Sequence, residues 1–128
     1  MNTRFLIAVA ALLLPLNGAL AQDVNAGATT FKLCTPCHDV GETAKNKIGP
    51  VLNGLDGRKS GTVAGFNYTD ANKNSGIVWG EATFLQYIKN PKADIPGTKM
   101  VFLGLKDETQ AKNLWAYLQQ FAPDGKKK

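Results

Sequence analysis

Cys34-Thr35-Pro36-Cys37-His38 sets two thiols three positions apart, with an imidazole directly after the second. Thiols and imidazoles form disulfides, ligate metals and attack electrophiles, so spacing and company have to decide among these roles. A Cys34–Cys37 disulfide would close a very small loop and remove little entropy from the unfolded chain, which makes it a poor staple. Structural zinc usually takes four protein ligands, and this chain holds two cysteines and one histidine. A thioredoxin-like dithiol needs a βαβ scaffold, and no strand runs flank the motif. What remains is covalent attachment of c-type haem, for which Cys-x-x-Cys-His is the sequence form. Cys34 and Cys37 can each add to one vinyl group of the porphyrin, and His38 then meets the iron from the same side.

The opposite face of such an iron needs a second ligand or stays open. The chain has two methionines, Met1 and Met100. Met1 belongs to a segment that reads as a cleavable secretory signal over residues 1–21: a positive start at Arg4, an apolar run from Phe5 to Leu16, and Ala19-Leu20-Ala21 as the cleavage site. That run is shorter than the ~17–25 residues a bilayer span requires, so an exported, soluble product is expected over residues 22–128. Its only methionine is then Met100. A lone methionine ordinarily fills core space, but Ile95-Pro96-Gly97-Thr98-Lys99-Met100 is a turn outside any helical face and can fold over the open side of a haem. His38 and Met100 are accordingly the candidate metal ligands.

Charge narrows the partners. Without Arg4 the net charge of +5 becomes +4, and the only remaining arginine is Arg58, among thirteen lysines. Nucleic-acid recognition favours arginine forks, whereas lysine attracts as a hydrated point charge. The basicity therefore reads as long-range steering toward an acidic partner, beside the plainer reading of a merely soluble surface.

The elements that must position these groups are helical. Asp23 as N-cap with Val24, Ala28 and Phe31 on one face predicts a helix near the start of the mature chain. Phe84, Leu85 and Ile88 predict a second over 80–90, stopped at Asn90-Pro91. Asp107 with Gln110 resembles a capping box, and Leu114, Tyr117, Leu118 and Phe121 give the third helix its face. One further helical turn is expected near Asp70 to Ser75. The long glycine-rich stretches Gly41 to Ser60 and Pro91 to Lys106 need something to organise them. Lys126-Lys127-Lys128 reads as a frayed basic tail. So few helical faces make a thin core, which a large apolar ligand at the centre would complete.

Taken together, the haem-attachment pentad, Lys47-Ile48-Gly49-Pro50, Gly57-Arg58-Lys59-Ser60-Gly61, Tyr68 to Asn74, Trp79 and Pro96-Gly97-Thr98-Lys99-Met100 resemble class I cytochromes c, of the mitochondrial type and of the bacterial cytochrome c2 type. The resemblance runs from about Asp23 to Phe121. It implies an all-α class I cytochrome c fold: one domain with three main helices, short helical turns, and long loops wrapped around one covalently bound haem. The terminal helices would cross, with Gly27 allowing close approach to Tyr117, and Phe31 and Leu114 packed nearby. It implies that the Pro50 carbonyl orients His38, that Arg58, Tyr68 and Trp79 surround the haem propionates, and that Asn72, Tyr87 and Thr98 lie on the methionine side.

With both axial positions filled by protein, substrate cannot reach the iron without displacing a ligand, so one-electron transfer rather than enzymatic turnover is expected. The resemblance implies a periplasmic, monomeric carrier between a quinol:cytochrome c reductase and a terminal oxidase or photosynthetic reaction centre, with no nucleic-acid role. Lys47, Lys92, Lys99 and Lys106 would ring the exposed haem edge as the partner-docking patch. Leu33 and Asp107 stand where mitochondrial relatives commonly carry lysine, which would thin or recentre that patch. Two readings from other classes stay open on sequence alone: a small haem enzyme or ligand sensor with a displaceable sixth ligand, and a binding domain with a free dithiol.

Overall fold

The computed structural model describes residues 22–128 and, ahead of them, Ala11. The expected leader, residues 1–21, otherwise lies outside the described residues.

Each expected helix forms where its cap is. In α1, Val24–Phe31, the Asp23 carboxylate accepts from the backbone N–H groups of Asn25 and Ala26, satisfying donors that the first turn leaves free. The turn expected near Asp70 to Ser75 is α2, Asp70–Lys73, capped by Thr69. In α3, Glu81–Lys89, the Gly80 N–H donates to Thr83 Oγ1 at 2.9 Å. The chain does not then run as loop from Pro91: α4, Pro91–Asp94, starts at once, with the Asn90 side chain accepting from Ala93 N–H. Proline suits a first helical position because its missing N–H would be unpaired there, so Pro91 both ends one helix and opens the next. In α5, Glu108–Leu118, the Asp107 carboxylate accepts from Gln110 N–H at 3.0 Å.

The terminal helices pack through their smallest residue. At Gly27 a Cβ would lie 2.0 Å from the Asn113 carbonyl oxygen and 2.8 Å from the Tyr117 Cβ, so α1 can approach α5 this closely only with glycine. Asp23 N–H donates to Asn113 Oδ1 at 2.9 Å, and the Phe31 and Tyr117 rings stand 5.3 Å apart. The inner face of α5 is Ala111, Leu114, Trp115 and Leu118, all buried. Trp115, absent from the face read off the sequence, meets Phe84 of α3 at 5.2 Å between centroids.

Among the described residues extended structure is confined to two isolated bridges, Lys59 with Val78 and Phe121 with Lys127. The second overturns the expectation of a frayed tail. Ala122 N–H donates to the Lys126 carbonyl and Lys128 N–H to the Gln120 carbonyl, each at 2.8 Å, so the last residues fold back as a hairpin on the end of α5. No helix among the described residues is long and apolar enough to cross a membrane.

Candidate functional site

The haem-attachment pentad leaves α1 in tight turns. Cys34 N–H donates to the Phe31 carbonyl at 2.8 Å, and the Cys34 carbonyl accepts from both Cys37 N–H and His38 N–H. This brings both cysteines, unpaired and partly buried, and the His38 ring onto the wall of one cavity of about 430 Å³. The volume falls within the ~300–1,000 Å³ of pockets that enclose a cofactor or other small molecule. Leu52, Leu55, Phe84, Phe102, Leu114 and Leu118 give it apolar walls, and Met100 lines it too.

His38 Nδ1 lies 2.7 Å from the Pro50 carbonyl, which fixes the tautomer with the proton on Nδ1 and leaves Nε2 with its lone pair. The ring is held so near Gly49 that a Cβ there would stand 2.3 Å from Cε1. Burial lowers the His38 pKa, the bond to Pro50 opposes this, and the charges of Arg58 and Lys47 add to the lowering. A neutral imidazole is the form a metal needs. Burial, with the neighbouring Cys37, pushes the Cys34 thiol up to about 11. At neutral pH that thiol is protonated, which suits a site built for thioether linkage better than one for thiolate redox exchange.

On the methionine side, the Tyr87 hydroxyl donates to Met100 Sδ at 3.0 Å. Burial raises the Tyr87 pKa, a hydrogen bond with the Thr98 side chain opposes it and Asp94 adds to it, so the hydroxyl keeps its proton. Thr98 Oγ1 also accepts from Met100 N–H at 3.3 Å, pinning the loop. Asn72 lines the cavity, its Oδ1 accepting from Thr69 Oγ1 at 2.9 Å.

The remaining polar lining tests whether a haem fits. Arg58 Nη1 donates to the carbonyls of Val51 and Asn53, yet no carboxylate pairs with this partly buried guanidinium among the described residues. Burial lowers the Arg58 pKa, an effect that the nearby Tyr68 opposes. A cation in that position calls for an anion, and the propionates of a haem supply two. The Tyr68 hydroxyl oxygen accepts from Val63 N–H at 3.1 Å, leaving its own proton to give. Trp79 is buried edge-on to Tyr87 at 5.0 Å. The residues present fit the group.

The cavity thus gathers Cys34, Cys37, His38, Pro50, Arg58, Tyr68, Asn72, Trp79, Tyr87, Thr98 and Met100. The expected docking lysines are exposed but less uniform. Lys99 lines the cavity, its ammonium 4.6 Å above the Phe66 ring and donating to the Asn67 carbonyl. Lys47 donates to the Thr35 carbonyl at 2.7 Å, and Lys106 to the Lys89 carbonyl at the end of α3. Lys92 projects from α4. Leu33 is exposed and lines the cavity, and Asp107 is occupied as the cap of α5. Sequence reasoning gave no role to buried Ser60, whose hydroxyl donates to the Asn72 carbonyl at 3.2 Å, or to Gly49; the glycine before proline was the only signal.

Two thiols and an imidazole on the wall of an apolar cavity, with a thioether sulfur lining it as well, in a helical shell, define a small c-type haem protein. The cytochrome c family model matches residues 24–122, and the chain belongs to that family. Its relatives include cytochrome c2 of Rhodoplanes tepidamans, 69% identical over 107 residues, 84% of this chain and 100% of the relative. Cytochrome c-550 of Bradyrhizobium diazoefficiens is 63% identical over 101 residues, 79% of this chain and 74% of that one. Among solved structures, cytochrome cH from Methylobacterium extorquens superposes with a TM-score of 0.72 at 39% identity, covering 77% of this chain and 98% of that one. The all-α class I cytochrome fold, the covalent haem c and the role in electron transfer rather than enzymatic turnover follow from that membership, and Cys34 and Cys37 fit the attachment motif.

Proposed function

We propose that the protein is an exported, periplasmic one-electron carrier, monomeric and freed of its leader after Ala21, with His38 and Met100 as the axial ligands of its haem. It takes electrons from a quinol:cytochrome c reductase and delivers them to a terminal oxidase or photosynthetic reaction centre. The observation that carries this reading is the cavity that holds the Nε2 of His38 and the Tyr87-bonded sulfur of Met100. Two strong-field protein ligands leave no position for substrate, which separates a carrier from a haem enzyme or ligand sensor.

When bound, the haem supplies reversible one-electron chemistry at its iron. The chain does the rest. Pro50 holds the His38 ring in one orientation, so the ligand does not turn between redox states. The neutral thioether of Met100 and the apolar walls favour the less charged ferrous state and raise the potential. Arg58 and Tyr68 offer a cation and a hydroxyl proton to carboxylates that would otherwise be buried unpaired. Lys47, Lys92, Lys99 and Lys106, each exposed, would steer encounter with an acidic face of a membrane complex and let it go again.

The test is a reduced-minus-oxidised spectrum of the periplasmic protein together with its intact mass. The expected result is a low-spin haem spectrum with the sulfur-to-iron charge-transfer band near the red edge, and a mass equal to residues 22–128 plus one haem. Met100→Ala should abolish that band and let carbon monoxide bind the reduced form rapidly; a band that survives would remove Met100 from the iron. Recovery of the pigment only in cytosol would remove the periplasmic assignment.

A further inference from the structure

The loop that carries His38 and the segment that carries Pro50 run side by side in the same direction. Gly49 N–H donates to the Cys37 carbonyl at 2.8 Å, the Pro50 carbonyl meets His38 Nδ1 at 2.7 Å, and Leu52 N–H donates to the Asp39 carbonyl at 3.0 Å. One residue closes this zipper. Asn53 Nδ2 donates to the Gly41 carbonyl at 2.8 Å while its Oδ1 accepts from Gly41 N–H at 2.9 Å, so a single side-chain amide grips both polar groups of one backbone residue. The carbonyl of the same Asn53 accepts from Arg58 Nη1 at 3.0 Å.

The clamp is backed from behind by the C-terminal hairpin. Gly54 N–H donates to the Phe121 carbonyl at 2.9 Å. Gly125 lies against Gly41 so tightly that a Cβ would stand 2.1 Å from the Gly41 carbonyl oxygen. Gly41, at φ 112°, is in a conformation side chains avoid, so glycine is required where Asn53 grips. The zipper therefore cannot slip at its Gly41 end without breaking the paired amide bonds and displacing the hairpin.

We infer that Asn53 is a positioning residue for electron transfer: its two-point clamp on Gly41 sets the register that aims the Pro50 carbonyl at His38 Nδ1 and holds the Arg58 guanidinium at the cavity. This rests on His38 being an iron ligand. A firm acceptor on Nδ1 makes the imidazole a stronger donor and favours ferric iron, so loosening the clamp raises the reduction potential. The effect reaches the iron through the ring, whereas a general loss of stability does not.

Asn53→Ala removes both bonds, and Asn53→Asp keeps the acceptor for Gly41 N–H while losing the donor. Asp23→Ala removes the cap of α1, which makes none of the zipper's hydrogen bonds, as a control for lost stability. Solvent exchange of the His38 Nδ1 proton, read by NMR of the ferric holoprotein, and the reduction potential are measured for all three. The expected result is exchange roughly tenfold faster and a raised potential in Asn53→Ala, intermediate values in Asn53→Asp, and neither change in Asp23→Ala. Exchange and potential in both Asn53 variants that match the unmodified protein would overturn the inference. So would equal changes in Asp23→Ala. If Asn53→Ala fails to mature, Asn53→Asp against Asp23→Ala decides alone. Absence of hyperfine-shifted His38 ring signals from the unmodified protein would instead sink the axial-ligand assignment itself.

Discussion

The Tyr87 hydroxyl donates a hydrogen bond to Met100 Sδ at 3.0 Å, and that single contact sets what the sulfur can offer a metal. A donor on the sulfur draws electron density from it, which weakens its hold on ferric iron more than on ferrous iron. Tyr87→Phe removes a hydrogen bond of about 0.5–1.5 kcal/mol, which for one electron corresponds to roughly 20–65 mV at 59 mV per tenfold. The potential is expected to fall by that order in voltammetry of the holoprotein; an unchanged or higher value would mean the hydroxyl points elsewhere once haem is in place. At this scale the sequence was most legible where residue chemistry is scarce. One histidine, two cysteines and one methionine among residues 22–128 left few assignments to consider. It was least legible where a common residue acts through backbone far away in the chain. Nothing about Asn53 or Ser60 as a residue type announces a partner twelve positions off, and only the folded loops bring Gly41 and the Asn72 carbonyl to them.

At the scale of elements, α1 and α5 meet backbone to backbone at Gly27, and the contact has no slack. A methyl group there would stand 2.0 Å from the Asn113 carbonyl oxygen, a backbone atom that cannot rotate aside. Gly27→Ala gains helix propensity of up to about 1 kcal/mol, but overpacking of this kind costs ~1–3 kcal/mol or more, so clash outweighs propensity. With roughly 4–8 °C per kcal/mol for a domain near this size, the melting temperature of the ferric protein, followed by circular dichroism, is expected to drop by several degrees. A rise would mean the helices meet elsewhere. The three long helices were readable from apolar residues at helical spacing together with an end signal: Asp23 before Val24, Asn90-Pro91 after Ile88, and Asp107 before Leu114. The short α4 was not, because a proline read as a stop is equally a start when an asparagine precedes it. The C-terminal hairpin was hidden for a related reason: three lysines carry no apolar pattern, and their pairing rests on backbone groups alone.

At the scale of the whole molecule, the proposed docking charge outside and the haem inside can be tested apart. Residues 22–128 carry more lysine than acid, and Lys92 is exposed on α4. Lys92→Glu is expected to slow association with the membrane acceptor by roughly threefold to tenfold at low salt and to flatten the salt dependence, as steering charges do. Stopped-flow oxidation of the reduced protein by acceptor membranes measures it, and equal rates at low salt would take Lys92 out of the docking face. The interior makes the larger demand. The cavity of about 430 Å³ lies among Leu55, Phe84, Ile88, Leu114 and Leu118, which are also the core that joins α3 to α5. Left without its occupant, an apolar cavity of about 430 Å³ in the middle of that core forfeits packing contacts on every wall, a loss set against the ~5–15 kcal/mol that stabilises a whole native domain. Helix capping contributes only about 1 kcal/mol at each terminus and cannot offset it. The chain made without haem should therefore lack a cooperative thermal transition and near-ultraviolet dichroism, and lose most of its helical signal. If the haem-free chain instead melted cooperatively with its helices intact, the core would be self-sufficient and the cavity incidental to the fold.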